Sequence, residues 1–343
     1  MKKFFLFFIV LTIMIVTTTA CKNKVKQPLN AKQSSKNLVK SLDFSYFPAE
    51  STVLAIVDFQ SIFSVKAFRP MLVKFFDEIK KTTEIDISEL KSISAFVNIR
   101  NLKNNPLSNA AVIIDGIDIT KMKNFPKAIK TEKFEGLNIN IYDDKTGFVI
   151  VDGKTIGGTL ISVKNAISLN KGKSKNLAST PRNNDFKDII AQLNGSQLSL
   201  AFVSNEKTDA EIKKYSEMPQ FMMLKTFFND FKSAGIGVKI DDKNIDFIII
   251  AKSSKEGAKT LATLANTQFI QFKPMIDNQL KLFQSKITTK GVEIIKNIIA
   301  SLKIKENKEF ISIKFTLTMK DAMKIPEIFM SLGLGYKNRA ITK

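Results

Sequence analysis

Apolar positions along this chain recur with two periods, near 2 and near 3.6, and the switches between them outline the elements. Residues 53–59 (VLAIVDF) are a short apolar run rich in β-branched side chains, which predicts a strand. Pro70 is placed to open a helix, and Met71, Leu72, Phe75, Phe76 and Ile79 follow on one helical face. Strands are predicted at 93–99 and 110–114, and Asp118 or Thr120 can cap a short helix carrying Met122, Phe125 and Ile129. Residues 137–160 read as a three-strand meander. Leu137, Ile139 and Ile141 alternate with Asn138, Asn140 and Tyr142, and turn residues stand at 143–147 and at Asp152-Gly153. Helices follow at 162–170 and 185–193, with Gly172 and Gly195 beyond their ends.

The second part of the chain repeats this style. A strand is predicted at 198–203, and Thr208 and Glu211 fit a capping box that opens a helical region reaching about Phe231. Ile236, Val238 and Ile240 alternate, a turn follows at 241–244, and a strand runs over 245–251. A second capping box, Ser253 to Glu256, precedes a helix with Leu261, Ala262, Leu264 and Ala265. Helices near 273–283 and 291–302, a strand through Ile311, Ile313, Phe315 and Leu317, and a helix over 321–332 complete the pattern. The segments 139–151 (INIYDDKTGFVIV) and 237–250 (GVKIDDKNIDFIII) are alike, which suggests duplicated halves. The expected fold is α+β, with antiparallel sheet and helices packed mainly on one face. The expected divisions are a leader at 1–20, a tether at 21–45, a first half at 46–205 and a second half at 206–343.

The N-terminus carries a different signal. Lys2 and Lys3 precede a 13-residue apolar run, Phe4 to Val16, and then Thr17, Thr18, Thr19, Ala20 and Cys21. A basic start, an apolar stretch of about 7–15 residues and a small residue before the cut form the pattern of an export signal. Thr18 to Cys21 resembles the lipobox of bacterial lipoproteins, with Ala20 as the small residue before the cysteine and Thr18 where that family prefers Leu. The resemblance implies cleavage before Cys21, acyl chains such as palmitate on Cys21, and attachment of the body to a membrane outside the cytoplasm. Lys22, rather than Asp, follows the cysteine, which in that family points to the outer membrane of cells that have one. Two other outcomes fit the same residues: an uncleaved anchor helix, and a plain secretory cut. Residues 22–41 hold six lysines, Pro28 and no acid, and read as a tether. The body also loosely resembles secreted bacterial proteins of unknown function, in which a phrase like Pro48-Ala49-Glu50-Ser51 precedes repeated strand–helix units.

Composition narrows the function. Fifty-three basic against 32 acidic residues leave a net charge of +21, and all but four of the basic residues are lysine. Such charge draws a protein toward anionic lipid or a cell-envelope polymer. Nucleic acid is not expected as a partner, because base readout relies on arginine and this chain has no dense arginine motif. There is no histidine and a single cysteine, which removes His-based catalysis, His-ligated zinc and any thiol cluster. Asp143-Asp144 and Asp241-Asp242 stand in turns, where neighbouring side chains diverge rather than meet on one substrate atom. Gly235-Ile236-Gly237 precedes a strand, not the helix that a dinucleotide fingerprint needs. No cofactor, no metal and no enzymatic activity are therefore expected.

The most apolar segment of the body is 218–231. Met218, Phe221, Met222, Phe227, Phe228 and Phe231 cover more than one face of a helix there. It reads either as a central core helix or as the lining for an apolar ligand. The expected role is a non-enzymatic, membrane-anchored binding or scaffolding body, with a carrier of lipid or another apolar ligand as the alternative.

Overall fold

The structure, a computed structural model, describes residues 43–97, 110–123, 127–143, 145–283 and 289–324. Its centre is a 12-stranded, wholly antiparallel sheet with the order β11-β12-β10-β9-β8-β1-β2-β3-β7-β6-β5-β4. The first six strands to form along the chain are β1 (Val53–Asp58), β2 (Ser92–Val97), β3 (Ala111–Asp115), β4 (Lys130–Phe134), β5 (Leu137–Ile141) and β6 (Thr146–Val151). They are followed by β7 (Lys154–Thr159), β8 (Leu198–Val203), β9 (Ser233–Ile240), β10 (Asn244–Lys252), β11 (Lys303–Asn307) and β12 (Phe310–Thr318). The fold is α+β.

Helices cover both faces. On the first face lie α3 (Leu160–Asn170) and α4 (Arg182–Gln192), whose Val163, Ala166, Ile167, Phe186, Ile189 and Ile190 pack against Leu54, Ile56, Phe96, Ile113 and Ile156 of the sheet. Most helices belong to the second face. There α1 (Phe59–Ser64), α2 (Arg69–Thr83), α8 (Thr289–Ser301) and α9 (Met319–Ala322) enclose a second core with Ile93, Ile114, Ile240, Ile245 and Leu317. A third cluster joins α6 (Lys225–Asn229) and α7 (Lys255–Phe283) to Ile311 and Ala251 on that face, and α5 (Glu206–Ser216) packs on α6.

The topology repeats outward from the central pair β1–β8. On one side the neighbours run β1, β2, β3, β7, β6; on the other they run β8, β9, β10, β12, β11. Each series begins strand–helices–strand–strand and ends strand–strand–helix. Where the second unit inserts α7 and α8, the first inserts the β4–β5 hairpin. In this repeat of strand order, the second series opens with β8. The likeness of 139–151 to 237–250 does not mark equivalent strands: the first spans β5–β6, while β9–β10 corresponds in topology to β2–β3. What the two segments share is a turn. Asp143 Oδ1 accepts the backbone N–H groups of Lys145 and Thr146, and Asp241 Oδ1 accepts those of Lys243 and Asn244.

Several local readings change. No helix spans 118–129: a 3-10 turn covers Ile119–Lys121, residues 124–126 lie outside the described residues, and Ile129 is exposed ahead of β4. Strand β4 has a polar, Lys-rich sequence that hides it; the Glu135-Gly136 turn, with φ of 51° and 79°, folds it onto β5. Helix α5 starts before the expected Thr208 cap. Asn205 and Thr208 form the reciprocal pair instead, Thr208 N donating to Asn205 Oδ1 and Asn205 N to Thr208 Oγ1. Helix α7 runs through Pro274 as one element where two were expected. The helix expected at 321–332 is described only to Ala322.

Candidate functional site

Side chains of a strand alternate between faces, so antiparallel registers place them in rows across the sheet. Three adjacent rows on the second face are apolar from β2 to β12. One joins Ile93, Val57, Leu198, Val238, Phe247 and Phe315, and it lies within the second core. Its Phe247 and Phe315 rings stack at 4.8 Å and 11°. Another joins Val97, Val53, Phe202, Ala234, Ala251 and Ile311, and it meets the cluster of α6 and α7.

The row between them runs Val112, Ala95, Ala55, Leu200, Ile236, Ile249, Ile313, Ile304, eight strands wide without a polar side chain. Its middle is open. Leu200 is 43% exposed, Ile236 48% and Ile249 41%, and none of the three belongs to a packed cluster. Helices α1, α2 and α8 stop on one side of the row, and α6 and α7 stop on the other. From Ala55 to Ile313 the row crosses four inter-strand steps of about 4.8 Å, roughly 19 Å in all. Three adjacent large aliphatic side chains left this bare form a contiguous patch, which monomeric surfaces use for binding.

The segment 218–231 borders this strip but is not one helix. A 3-10 turn covers Pro219–Leu224 and α6 is five residues long. Phe227 is buried; it meets the rings of Phe228 at 5.5 Å and Phe231 at 5.8 Å. Phe231 stacks on Phe202 of the neighbouring row at 6.1 Å. Met222 is 63% exposed and Met218 38%, and the side chain of Phe221 lies outside the described residues. The structure thus brings Phe227, Phe228 and Phe231 to the rim of the strip and leaves the methionines away from it. Leu200, Ile236 and Ile249 were not singled out from the sequence. Alternation marks Ile236 as facing a covering layer, and β10 around Ile249 is apolar on both faces, so neither pattern announces an uncovered position.

Charge concentrates elsewhere, on the first face. Lys252, 7% exposed, extends its Nζ to Asp185 at 3.0 Å and Asp188 at 2.6 Å of α4 and lies over the Phe310 ring. Burial pushes its ammonium toward deprotonation, but the two carboxylates outweigh that and raise its pKa. Nearby, Arg182 donates to the carbonyls of Ala49, Ser51 and Val203 at 2.8–3.0 Å and ties the entry to β1 to the end of β8. These groups spend their hydrogen bonds on the fold. The aspartates of the two turns do likewise: Asp143 and Asp241 close their turns, Asp242 Oδ1 accepts the N–H of Lys66 at 2.6 Å, and Asp144 lies outside the described residues. Cys21 lies outside them as well. Among the described residues, no group of three or more acids or thiols is placed to hold a metal, and no helix is long and apolar enough to cross a membrane.

No family model matches the sequence, and no curated protein matches it. Solved structures similar in fold include three crystal forms of TP0453. Form III is 9% identical, covering 85% of this chain and 100% of that one with a TM-score of 0.40. Form I is 9% identical, with 85% and 98% coverage and a TM-score of 0.38. Form IV is 11% identical, with 84% and 97% coverage and a TM-score of 0.37. Likeness at this level supports no statement about ligand or activity.

Proposed function

We propose that this chain is a lipid-anchored, non-enzymatic protein of the bacterial cell envelope whose body holds an acyl chain or similarly apolar ligand along the open row. The observation that carries the reading is the exposure of Leu200, Ile236 and Ile249 at the centre of an otherwise apolar sheet face. Burying them under a ligand removes apolar surface from water at about 25 cal/mol per Å². The row's length of roughly 19 Å is comparable to one leaflet of a bilayer's hydrocarbon core, about 15 Å, so one extended acyl chain fits across the strands. The aromatic rim of Phe202 and Phe231 supplies a wall on one side. Attachment rests on the leader and on the lipobox-like Thr18 to Cys21.

Two measurements test this reading. Metabolic labelling with palmitate is expected to mark the wild-type chain and to be lost in Cys21→Ala. Organic extraction of protein purified from membranes, followed by mass spectrometry, is expected to release a bound lipid. A chain that carries no label in the first experiment sinks the anchor. A chain that yields no lipid and binds no added acyl probe sinks the ligand, and capture of a protein on the same row supports the scaffolding alternative.

A further inference from the structure

Among the described residues, the first face of the sheet is helix-covered over its middle and carries no helix at one end. Helix α4 reaches β8, β9 and β10, while α7 and α8 meet β11 and β12 from the second face. The registers place Lys239 of β9, Lys314 of β12, and Lys303 and Lys305 of β11 on this bare part of the first face. Lys303 and Lys314 stand directly opposite each other, a pairing of like charges that disfavours the ladder.

Acid is scarce there. Asp246 faces the same side and binds Lys314 at 2.7 Å. Burial works against its ionisation, and hydrogen bonds from Lys314 and Thr316, with the charges of Lys314 and Lys239, overcome it and lower its pKa. Asp185 and Asp188 are taken up by Lys252, and Asp241 closes its turn. Glu306 alternates onto the opposite face, and Glu309, in the β11–β12 turn, pairs with Lys232. Lysines on an edge strand guard against edge-to-edge pairing. That explains Lys303 and Lys305 but not Lys239, three strands inward.

We infer that this basic end of the sheet rests on a membrane surface of anionic phospholipid. The inference rests on the reading of the chain as membrane-attached. A lipid anchor and a basic patch together supply the two signals that stable membrane attachment requires. Lys239, Lys303 and Lys305 are exposed; Lys239 stands opposite Asp246 and feels its charge, but Asp246 gives its direct ion pair to Lys314, so anionic headgroups can approach all three lysines without breaking an ion pair. The open apolar row lies on the other face and stays accessible in this orientation.

Residue-level amine labelling of the full-length protein tests the contact. The protein is reconstituted in vesicles of phosphatidylcholine alone or with phosphatidylglycerol, and each lysine is followed by mass spectrometry. Labelling of Lys239, Lys303 and Lys305 is expected to slow by about fivefold with phosphatidylglycerol and to recover in high salt. Lys80 and Lys259, on helices of the second face, are expected to label at one rate throughout. The double variant Lys303→Glu/Lys305→Glu is expected to lose the protection of Lys239 while its circular dichroism stays unchanged. Equal labelling on both vesicles overturns the inference, as does equal slowing of Lys80 and Lys259. Protection by soluble polyphosphate without protection by phosphatidylglycerol overturns it in favour of an envelope polymer. Vesicle flotation separates the two readings: protein that floats without lysine protection overturns only the face, and protein that fails to float overturns the attachment as well.

Discussion

Ala55 of β1 and Leu200 of β8 face each other across the central strand pair, and the strand order on either side of them repeats outward. They sit in the middle of the open row, so the exposed aliphatic strip lies where the two units of the chain meet. Ala55 is small and Leu200 is 43% exposed, which leaves this junction shallow and greasy. A junction between repeats is a common place for a ligand site.

If the row binds an apolar ligand, a charge placed in it removes binding without unfolding the protein. Ile236→Glu is expected to weaken binding of a fluorescent acyl probe at least tenfold, about 1.4 kcal/mol. Because Ile236 is nearly half exposed, its stability in urea is expected to change by no more than about 0.5 kcal/mol. Ile150→Glu, on β6 away from the row, serves as the control and is expected to leave the probe affinity unchanged.

The Lys252 cluster makes a prediction about stability. Lys252→Met leaves Asp185 and Asp188 beside each other without their shared cation. The expected cost is on the order of 3 kcal/mol, toward the lower end for a broken buried pair because Asp188 is about half exposed. The triple variant Lys252→Met/Asp185→Asn/Asp188→Asn is expected to recover most of that loss in denaturant melts.

Two titrations follow from these charged sites, with opposite signs. Asp246 has a lowered folded pKa, so its stabilisation is present above the unfolded value near 3.9 and is lost as pH falls through the lower folded value. Asp246→Asn is expected to flatten the acid limb of the stability curve. Lys252 has a raised folded pKa, so its stabilisation is complete below the unfolded value near 10.4 and is lost as pH rises through the folded one. Lys252→Met is expected to flatten the alkaline limb. Thermal melts across both ranges measure the slopes.

Gly235 lets α4 approach the sheet closely. A Cβ at this position meets Ile189 Cγ2 at 2.6 Å and Leu193 Cδ1 at 3.0 Å. Gly235→Ala is expected to cost about 1–3 kcal/mol through overpacking. Ile189→Ala, which removes the clashing Cγ2, is expected to cost less in the Gly235→Ala background than in the wild type, a coupling that a double-mutant cycle reads directly.

The chain's own pattern determined what is local. Period-two alternation located β5, β9 and β12, short apolar runs located β8 and β10, and the turn residues at 143–147, 152–153 and 241–244 located the hairpins, because these signals act over a few bonds. Helix α2 after Pro70, and α3 and α4 with glycines beyond their ends, followed from the same kind of information. Where the local signal was weak, the reading failed: β4 is too polar to announce a strand, and the apolar stretch 218–231 breaks into a 3-10 turn and a short helix rather than one buried rod. Only the tertiary structure decided which apolar positions stay uncovered. The β10 sequence is apolar on both faces, and nothing in it separates the buried Ile250 from the exposed Ile249. That difference depends on where helices from distant parts of the chain come to rest, α4 over one face and a gap between α8 and α7 over the other. Burial is a property of neighbours, and the helices that cover Ile250 and leave Ile249 bare come from distant parts of the chain.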